Sequence, residues 1–377
     1  MSTLWRVPFG DLQRSHQALQ ADLIAAAKRV IESGWYILGT EVTAFEQEFA
    51  AACGVAYCIG VASGADALYL ALVAAGIGPG DEVITVANAC MYDVAAIVQA
   101  GAQPVLVDVD PTTQNMDPTA LAAAITPRTK AVIPVHLFGR LADMPAIMEI
   151  AERHGLIVIE DAAQAHGAWR LDDTGRLRQA GQWGHLAAFS FYPSKNLGAL
   201  GDGGAVTTNH HEWADRLRQL RMYGWERKYY TTEPGGRNSR LDELQAALLR
   251  VKLPHLAAAN AARRERAGWY TTALADLPIE VPSDEPGHVY HLFVITLPDH
   301  TTRDRLRNHL LAHGIGCDIH YPVPTHLQPA YADLGYRPGS LPITEDLAGR
   351  ILSLPMYPEL SYDEVMLVAE TIRAGII

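Results

Sequence analysis

The sequence predicts an α/β protein, with a large domain on a mostly parallel sheet and a smaller C-terminal domain reached through a long helix. Two observations carry this. Between residues 55 and 210, short apolar runs alternate with helix-length stretches, the pattern of a parallel sheet covered on both faces. Beyond residue 239 the pattern changes to two consecutive helical segments and then to a strand, a helix and a compact end.

The apolar runs place strands at 57–61, 82–86, 104–107, 131–135, 156–159, 187–191 and 205–208, with helices at 65–75, 118–125 and 144–154 between several of them. The segment 239–253 repeats apolar residues at three- and four-residue spacing, and Pro254 ends or bends it. A long helix is expected over about 256–277, then a loop at 282–287, a strand at 289–297 and a helix at 303–313. The division therefore falls between 1–253 and 254–377. Ligands of such sheets bind beyond the carboxyl ends of the strands, where Asp161 and Lys195 both fall.

A chain of 377 residues with 49% hydrophobic and 19% charged residues has the balance of a soluble globular enzyme. Its net charge of -12 argues against a general grip on nucleic acid, which needs a basic face, but allows a local basic pocket for a nucleotide diphosphate. Cys53, Cys58, Cys90 and Cys317 show no CxxC spacing, so neither a disulfide framework nor a zinc site is expected. Residues 1–10 lack the basic and apolar regions of a signal peptide, and no stretch reaches the roughly 20 apolar residues of a membrane span. These features point to a cytoplasmic protein with no metal, no membrane and no nucleic acid among its partners.

The richest chemistry lies in Phe189-Ser190-Phe191-Tyr192-Pro193-Ser194-Lys195-Asn196, followed by the glycine-rich return Gly201-Asp202-Gly203-Gly204. About thirty residues upstream, an apolar strand ends in Glu160-Asp161-Ala162-Ala163-Gln164-Ala165-His166-Gly167. Lys195 supplies an amine that forms an imine if burial beside a cation lowers its proton affinity. Asp161 reads either as a helix N-cap or as the carboxylate that keeps a pyridine nitrogen protonated. Gln164 is placed to reach the ring's phenolic oxygen. Ser63-Gly64-Ala65-Asp66 opens a helix whose free N–H groups suit a phosphate. It also reads as an ordinary turn capped by Ser63, and the negative Asp66 suits a phosphate only if it turns away. Together these residues equip a site for pyridoxal 5'-phosphate. The His-bearing run 317–327 contains two prolines and no third clustered ligand, which speaks against a metal and for a pocket wall facing a hydroxylated substrate. No GxGxxG follows the first strand, which excludes a nicotinamide dehydrogenase.

With these residues assembled, the chain resembles the sugar aminotransferases of the DegT/DnrJ/EryC1/StrS family, fold type I pyridoxal phosphate enzymes. Seven ordered motifs carry the resemblance, among them Ser33-Gly34-Trp35-Tyr36-Ile37-Leu38-Gly39, Pro134-Val135-His136-Leu137-Phe138-Gly139, Tyr192-Pro193-Ser194-Lys195-Asn196-Leu197-Gly198 and Asn238-Ser239-Arg240-Leu241-Asp242-Glu243-Leu244-Gln245. The resemblance implies a large domain with a seven-stranded mixed sheet and a homodimer with shared active sites. It implies that Lys195 bonds the cofactor and shuttles the proton, that Asp161 holds the pyridinium and Gln164 the phenolic oxygen. Ser190, Gly64 and Ala65 would hold the phosphate, with Asn238 reaching in from the other subunit. Cys90 stands where the family usually stacks an aromatic residue on the ring, so either its thiol takes that place or the loop shifts to bring Met91 or Tyr92 there; Arg140 stands where small polar residues are common.

The motifs Gln164-Ala165-His166-Gly167, Ile319-His320-Tyr321-Pro322 and His326-Leu327-Gln328-Pro329-Ala330-Tyr331 resemble those of members that aminate C3 of nucleotide-linked keto sugars. By that resemblance His166, His320 and Tyr321 face the sugar, with Tyr36 and Tyr192 also against the substrate. Arg227, Lys228 and Tyr229 approach the pyrophosphate from the neighbouring subunit. The implied reaction moves an amino group from L-glutamate to the C3 ketone of a dTDP-linked 3-keto-6-deoxyhexose, with pyridoxamine 5'-phosphate as the intermediate cofactor form. Rivals are a C4 aminotransferase of a nucleotide-linked 4-keto sugar, a keto-cyclitol aminotransferase, and a non-catalytic sugar-nucleotide-binding protein.

Overall fold

The computed structural model describes residues 5–376; residues 1–4 and 377, the outer ends of the two expected domains, lie outside the described residues. Seven strands form the main sheet: β1 (Tyr57–Val61), β2 (Glu82–Val86), β3 (Gln103–Val107), β4 (Thr129–Val132), β5 (Ile157–Asp161), β6 (Leu186–Ser190) and β7 (Gly204–Thr208). Their order is β1-β7-β6-β5-β4-β2-β3. Strand β7 runs antiparallel to both neighbours, and the other four pairings are parallel. The sheet is therefore mixed and mostly parallel, an α/β fold.

Helices cover both faces, which is why strands such as β2 and β7 are buried along their whole length. On one face lies the helix Gly64–Ala74, apolar almost all round because it is wedged between the sheet and the helices Tyr92–Gln99 and His211–Leu220. Ser63 starts it by accepting the Asp66 N–H at 3.1 Å. On the other face, Phe45 and Phe49 of the helix Thr40–Cys53 pack against Phe189 and Phe191, with ring centroids 5.1 to 5.3 Å apart. Each such ring contributes about 1.5–3 kcal/mol on full burial. This cluster anchors the end of β6, and so the turn that carries Lys195.

Strand ends differ from the sequence expectation by a few residues, and one difference has consequences. β5 runs on to Asp161, so the carboxylate sits on the last residue of a rigid strand rather than in a loop beyond it. The helix expected from 239 begins only at Glu243, because Asp242 caps it by accepting the Gln245 N–H at 2.7 Å. Pro254 lies in a single turn, Leu253–His255, after which the helix Leu256–Leu274 enters the C-terminal part.

There, β8 (Phe293–Thr296) pairs antiparallel with β9 (Ile351–Leu354), against a strand expected over 289–297. The shortening comes from docking. Val289 N–H donates to the Gly139 carbonyl at 3.0 Å, and Gly139 has a φ of +96°. A Cβ there would lie 2.8 Å from Val289 Cγ2, so only glycine lets this segment cross so closely. Buried Arg140 adds an ion pair to Glu285 at 2.9 Å, tying the loop at 282–287 to the segment after β4. The N-terminal arm, which the sequence reading assigns to the large domain, docks on the C-terminal part. Arg6 N–H donates to Gly314 and Gly316 N–H to Val7, and Val7 is fully buried beside Tyr270 and Phe293. Among the described residues, no helix is long and apolar enough to cross a membrane.

Candidate active site

Beyond the carboxyl ends of β5 and β6, the start of the helix Gly64–Ala74 and the docked C-terminal part enclose a cavity of about 440 Å³. Its wall brings together ten of the residues singled out from sequence: Gly64, Ala65, Cys90, Asp161, Gln164, Ser190, Tyr192, Lys195, His320 and Tyr321.

Lys195 stands on a tight turn after β6, closed by Lys195 N–H to the Tyr192 carbonyl at 2.8 Å and Ala199 N–H to Phe191 at 2.8 Å. Burial pushes its amine below the usual lysine range, opposed by the Asp161 carboxylate and by Cys90. That is the direction a nucleophilic amine requires. Asp161 Oδ1 accepts the Ala163 N–H at 2.9 Å. Burial pushes its carboxyl upward, opposed by that N–H, by Lys195 and by His136. A cationic ring nitrogen against it restores the charged form.

Behind Asp161 the strand is held by a buried pair: His136 Nε2 lies 2.9 Å from Glu160 Oε2, and both side chains are fully buried. His136 Nδ1 accepts the Ala142 N–H at 3.2 Å, so Nε2 carries the proton and donates. Glu160 also accepts the N–H groups of Gly181, Trp183 and Gly184 at 2.7 to 3.0 Å. Gln164 is fixed from two sides. Its Oε1 accepts the Phe138 N–H at 2.7 Å, and its Nε2 donates to the Tyr321 hydroxyl at 3.1 Å.

The Gly64 and Ala65 N–H groups, at the start of their helix, have no preceding turn to receive them. Ser190 lies directly beneath, where a Cβ on Gly64 would come within 2.6 Å of Ser190 Cβ. Asp66 does turn away: it pairs with Arg237 at 3.0 Å, and the Arg237 guanidinium lies 3.4 Å from the Tyr69 ring centroid. Its charge is thus spent outside the helix start. Amine, carboxylate, amide donor and close-packed anion cradle match pyridoxal phosphate group for group.

Six residues from the sequence reading lie elsewhere in the single chain, the exposed Arg227 among them. His166, expected against the sugar, is 1% exposed and packs among Phe49, Phe189 and Phe191. Burial holds it neutral, lowered to about 3, and it packs in the core rather than lining the cavity. The strand-to-turn geometry explains this: Gln164 faces the cavity and His166, two residues on, faces the other way. Tyr36, Lys228, Tyr229 and Asn238 are exposed and outside the cavity wall.

Sequence reasoning missed His291. It lines the cavity, with Nδ1 3.2 Å from Asn196 Oδ1. Since Asn196 Nδ2 donates to Asn260 Oδ1 and Val289 O, its Oδ1 accepts from His291, whose other ring nitrogen keeps a lone pair. The signal was hidden because residue 291 fell inside an expected strand.

The family model described as the DegT/DnrJ/EryC1/StrS aminotransferase family matches residues 17–373. The chain is 48% identical to the dTDP-3-amino-3,4,6-trideoxy-alpha-D-glucose transaminase of Streptomyces venezuelae, over 98% of this chain and 96% of that protein. It is 46% identical to the dTDP-3-amino-3,6-dideoxy-alpha-D-galactopyranose transaminase of Aneurinibacillus thermoaerophilus, over 97% and 99%. The crystal structure of S. venezuelae DesV in complex with a ketimine intermediate superposes with a TM-score of 0.93 at 48% identity, covering 98% of each chain. Fold, site chemistry and descent agree: this chain belongs to the DegT/DnrJ/EryC1/StrS aminotransferase family, and it is a transaminase that depends on pyridoxal phosphate.

Proposed function

We propose that this transaminase moves an amino group from L-glutamate to the C3 ketone of a dTDP-linked 3-keto-6-deoxyhexose, giving a dTDP-3-amino-3,6-dideoxyhexose. The observation that carries this reading is the pair of full-length relatives whose names both place the amine at C3, on two different deoxyhexoses. His320 and Tyr321 support it, since they bring the C-terminal part into the same cavity wall as Lys195.

When bound, pyridoxal phosphate supplies the electron sink for breaking the C–H bond next to nitrogen. The chain's residues hold and aim the reacting groups. Lys195 Nζ bonds the cofactor and moves a proton to and from carbon. Asp161 keeps the ring nitrogen protonated, Gln164 Nε2 holds the phenolic oxygen, and Ser190 with the Gly64 and Ala65 N–H groups holds the phosphate. Cys90 presents a thiol at the ring, where a smaller group leaves more room than an aromatic ring.

The complete site is that of a homodimer. Trp35, Tyr36, Ile37, Tyr192, Tyr229 and Tyr230 are large apolar residues between 42% and 80% exposed in the single chain, more than an isolated surface favours. A second copy seated on them brings Asn238 to the phosphate, and Lys228 and Tyr229 to the substrate pyrophosphate. The four thiols are all free, which supports a reducing cytoplasmic setting. The large domain ends near residue 253, where Pro254 interrupts the helical path.

The test is to follow the cofactor's visible absorbance on adding L-glutamate, then to offer 3-keto and 4-keto dTDP-hexoses and locate the new amine by NMR. Amination at C3 alone is expected. Faster turnover of a 4-keto sugar overturns the reading.

A further inference from the structure

The ring of His291 lines the same cavity wall as Lys195, and a chain of hydrogen bonds fixes what each ring nitrogen does. Asn260 Nδ2 donates to the His166 carbonyl at 2.8 Å, which leaves Asn260 Oδ1 to accept from Asn196 Nδ2 at 2.9 Å. Asn196 Nδ2 gives its second N–H to the Val289 carbonyl at 3.1 Å, so Asn196 Oδ1 takes the His291 Nδ1–H at 3.2 Å. His291 Nε2 therefore carries a lone pair. It has no partner among the described residues and is not sealed from solvent, so it opens on the cavity that the ring lines. Burial, with Lys195, Arg263 and His320 nearby, opposes a second proton on the ring.

A lone pair facing a cavity loses its water when ligands fill the space, and is then costly unless a donor arrives. The cofactor offers none. Its ring N–H belongs to Asp161, its phenolic oxygen and phosphate accept, and the amine of its pyridoxamine form is the reacting group. Lys195 is committed to the cofactor. L-Glutamate brings two carboxylates, which also accept, and an ammonium that is again the reacting group. The hexose remains, with hydroxyls on the carbons beside its ketone.

We propose that His291 is a specificity-determining residue for the sugar half of the reaction: its Nε2 accepts a hydrogen bond from a hydroxyl on a carbon next to the ketone. The proposal rests on the reading of this chain as a sugar aminotransferase and adds what selects the sugar. An analogue without that hydroxyl leaves the lone pair unpaired and is rejected. L-Glutamate presents no donor to it, so the two half-reactions depend on His291 unequally.

Two substitutions separate the ring nitrogens. The amide of asparagine falls near Nδ1 and that of glutamine near Nε2. His291→Asn therefore keeps the bond to Asn196 and loses the cavity acceptor, and His291→Gln does the reverse. Single-turnover absorbance of the holoenzyme's cofactor follows each half-reaction apart, using whichever dTDP-linked keto hexose the native enzyme aminates. With the sugar, His291→Asn should lose about tenfold in kcat/KM and His291→Gln should stay within about threefold. With L-glutamate, both should stay within about twofold of native. The tenfold gap should close on the deoxy sugar that lacks one neighbouring hydroxyl, and which one identifies the contact. Equal losses in the two half-reactions, a larger loss in His291→Gln than in His291→Asn, or a gap that survives removal of each hydroxyl overturns the proposal. A misplaced ketone would instead show in the native enzyme, as an amine on another carbon. If the asparagine variant does not fold, His291→Phe serves as the ring without an acceptor.

Discussion

Gln164 Nε2 donates to the Tyr321 hydroxyl at 3.1 Å, joining the turn after β5 to a residue 157 positions further along the chain. Because Gln164 Oε1 is already held by the Phe138 N–H, the amide cannot flip, and its second N–H is left aimed at the cavity. One side chain therefore faces the cavity and ties Tyr321 to its wall. Burial raises the Tyr321 hydroxyl above the usual tyrosine range, so it stays protonated at neutral pH.

Tyr321→Phe removes this link and leaves the cavity shape intact. The loss of one neutral hydrogen bond costs about 1 kcal/mol, roughly fivefold in kcat/KM for the keto sugar. Cofactor affinity should change far less, because Gln164 keeps its own anchor. Steady-state kinetics beside a cofactor titration separates the two. A variant that loses cofactor and sugar alike would show that Tyr321 holds Gln164 in place rather than the substrate.

Lys195→Arg keeps a cation on the turn but removes an amine able to attack a carbonyl. The visible band of covalently held cofactor should be absent, and transamination should fall on the order of 10³-fold, the scale of losing a general acid–base group. Mass spectrometry after borohydride reduction should tag Lys195 in the native chain and no residue in the variant.

The depth at which the site can be read from sequence varies by residue, for physical reasons. Lys195, Asp161 and Gln164 sit at strand ends, and alternation of apolar runs with helices locates strand ends well. His166 could not be assigned this way, since its side depends on how the chain turns between β5 and the hairpin beginning at Trp169. His291 was invisible for another reason. It enters the cavity only because the segment before β8 is pulled onto Gly139, a contact between residues 150 positions apart in the chain.

Glu160 sits beside Asp161 in sequence, yet its side chain points to the opposite face, where it accepts hydrogen bonds from His136 Nε2–H and three backbone N–H groups. Glu160→Ala leaves those donors buried and unpaired, which should cost about 3–5 kcal/mol of stability. Glu160→Gln keeps the shape but supplies one oxygen acceptor in place of two, and should lie between. Denaturant titration of the three proteins checks the order. The cofactor site should remain intact in whatever fraction stays folded.

His166 carries the last prediction, and its sign follows from burial. Its folded form is held neutral down to about 3, against about 6.5 when unfolded. Below about pH 6.5 the unfolded chain takes up a proton that the folded chain refuses, so stability is fully present above that pH and falls as the pH drops. The slope from this one group is about 1.4 kcal/mol per pH unit. His288 and His291 are lowered by burial too and steepen the same acid limb. His166→Leu removes one proton from that uptake and leaves an apolar side chain of similar size among Phe49, Phe189 and Phe191. Denaturant unfolding at pH 7 and pH 5 should therefore show a smaller loss between the two pH values in the variant than in the native chain. Because His166 lies outside the cavity, kcat/KM should stay within about twofold of native. A large loss of activity with an unchanged acid limb would return His166 to the substrate.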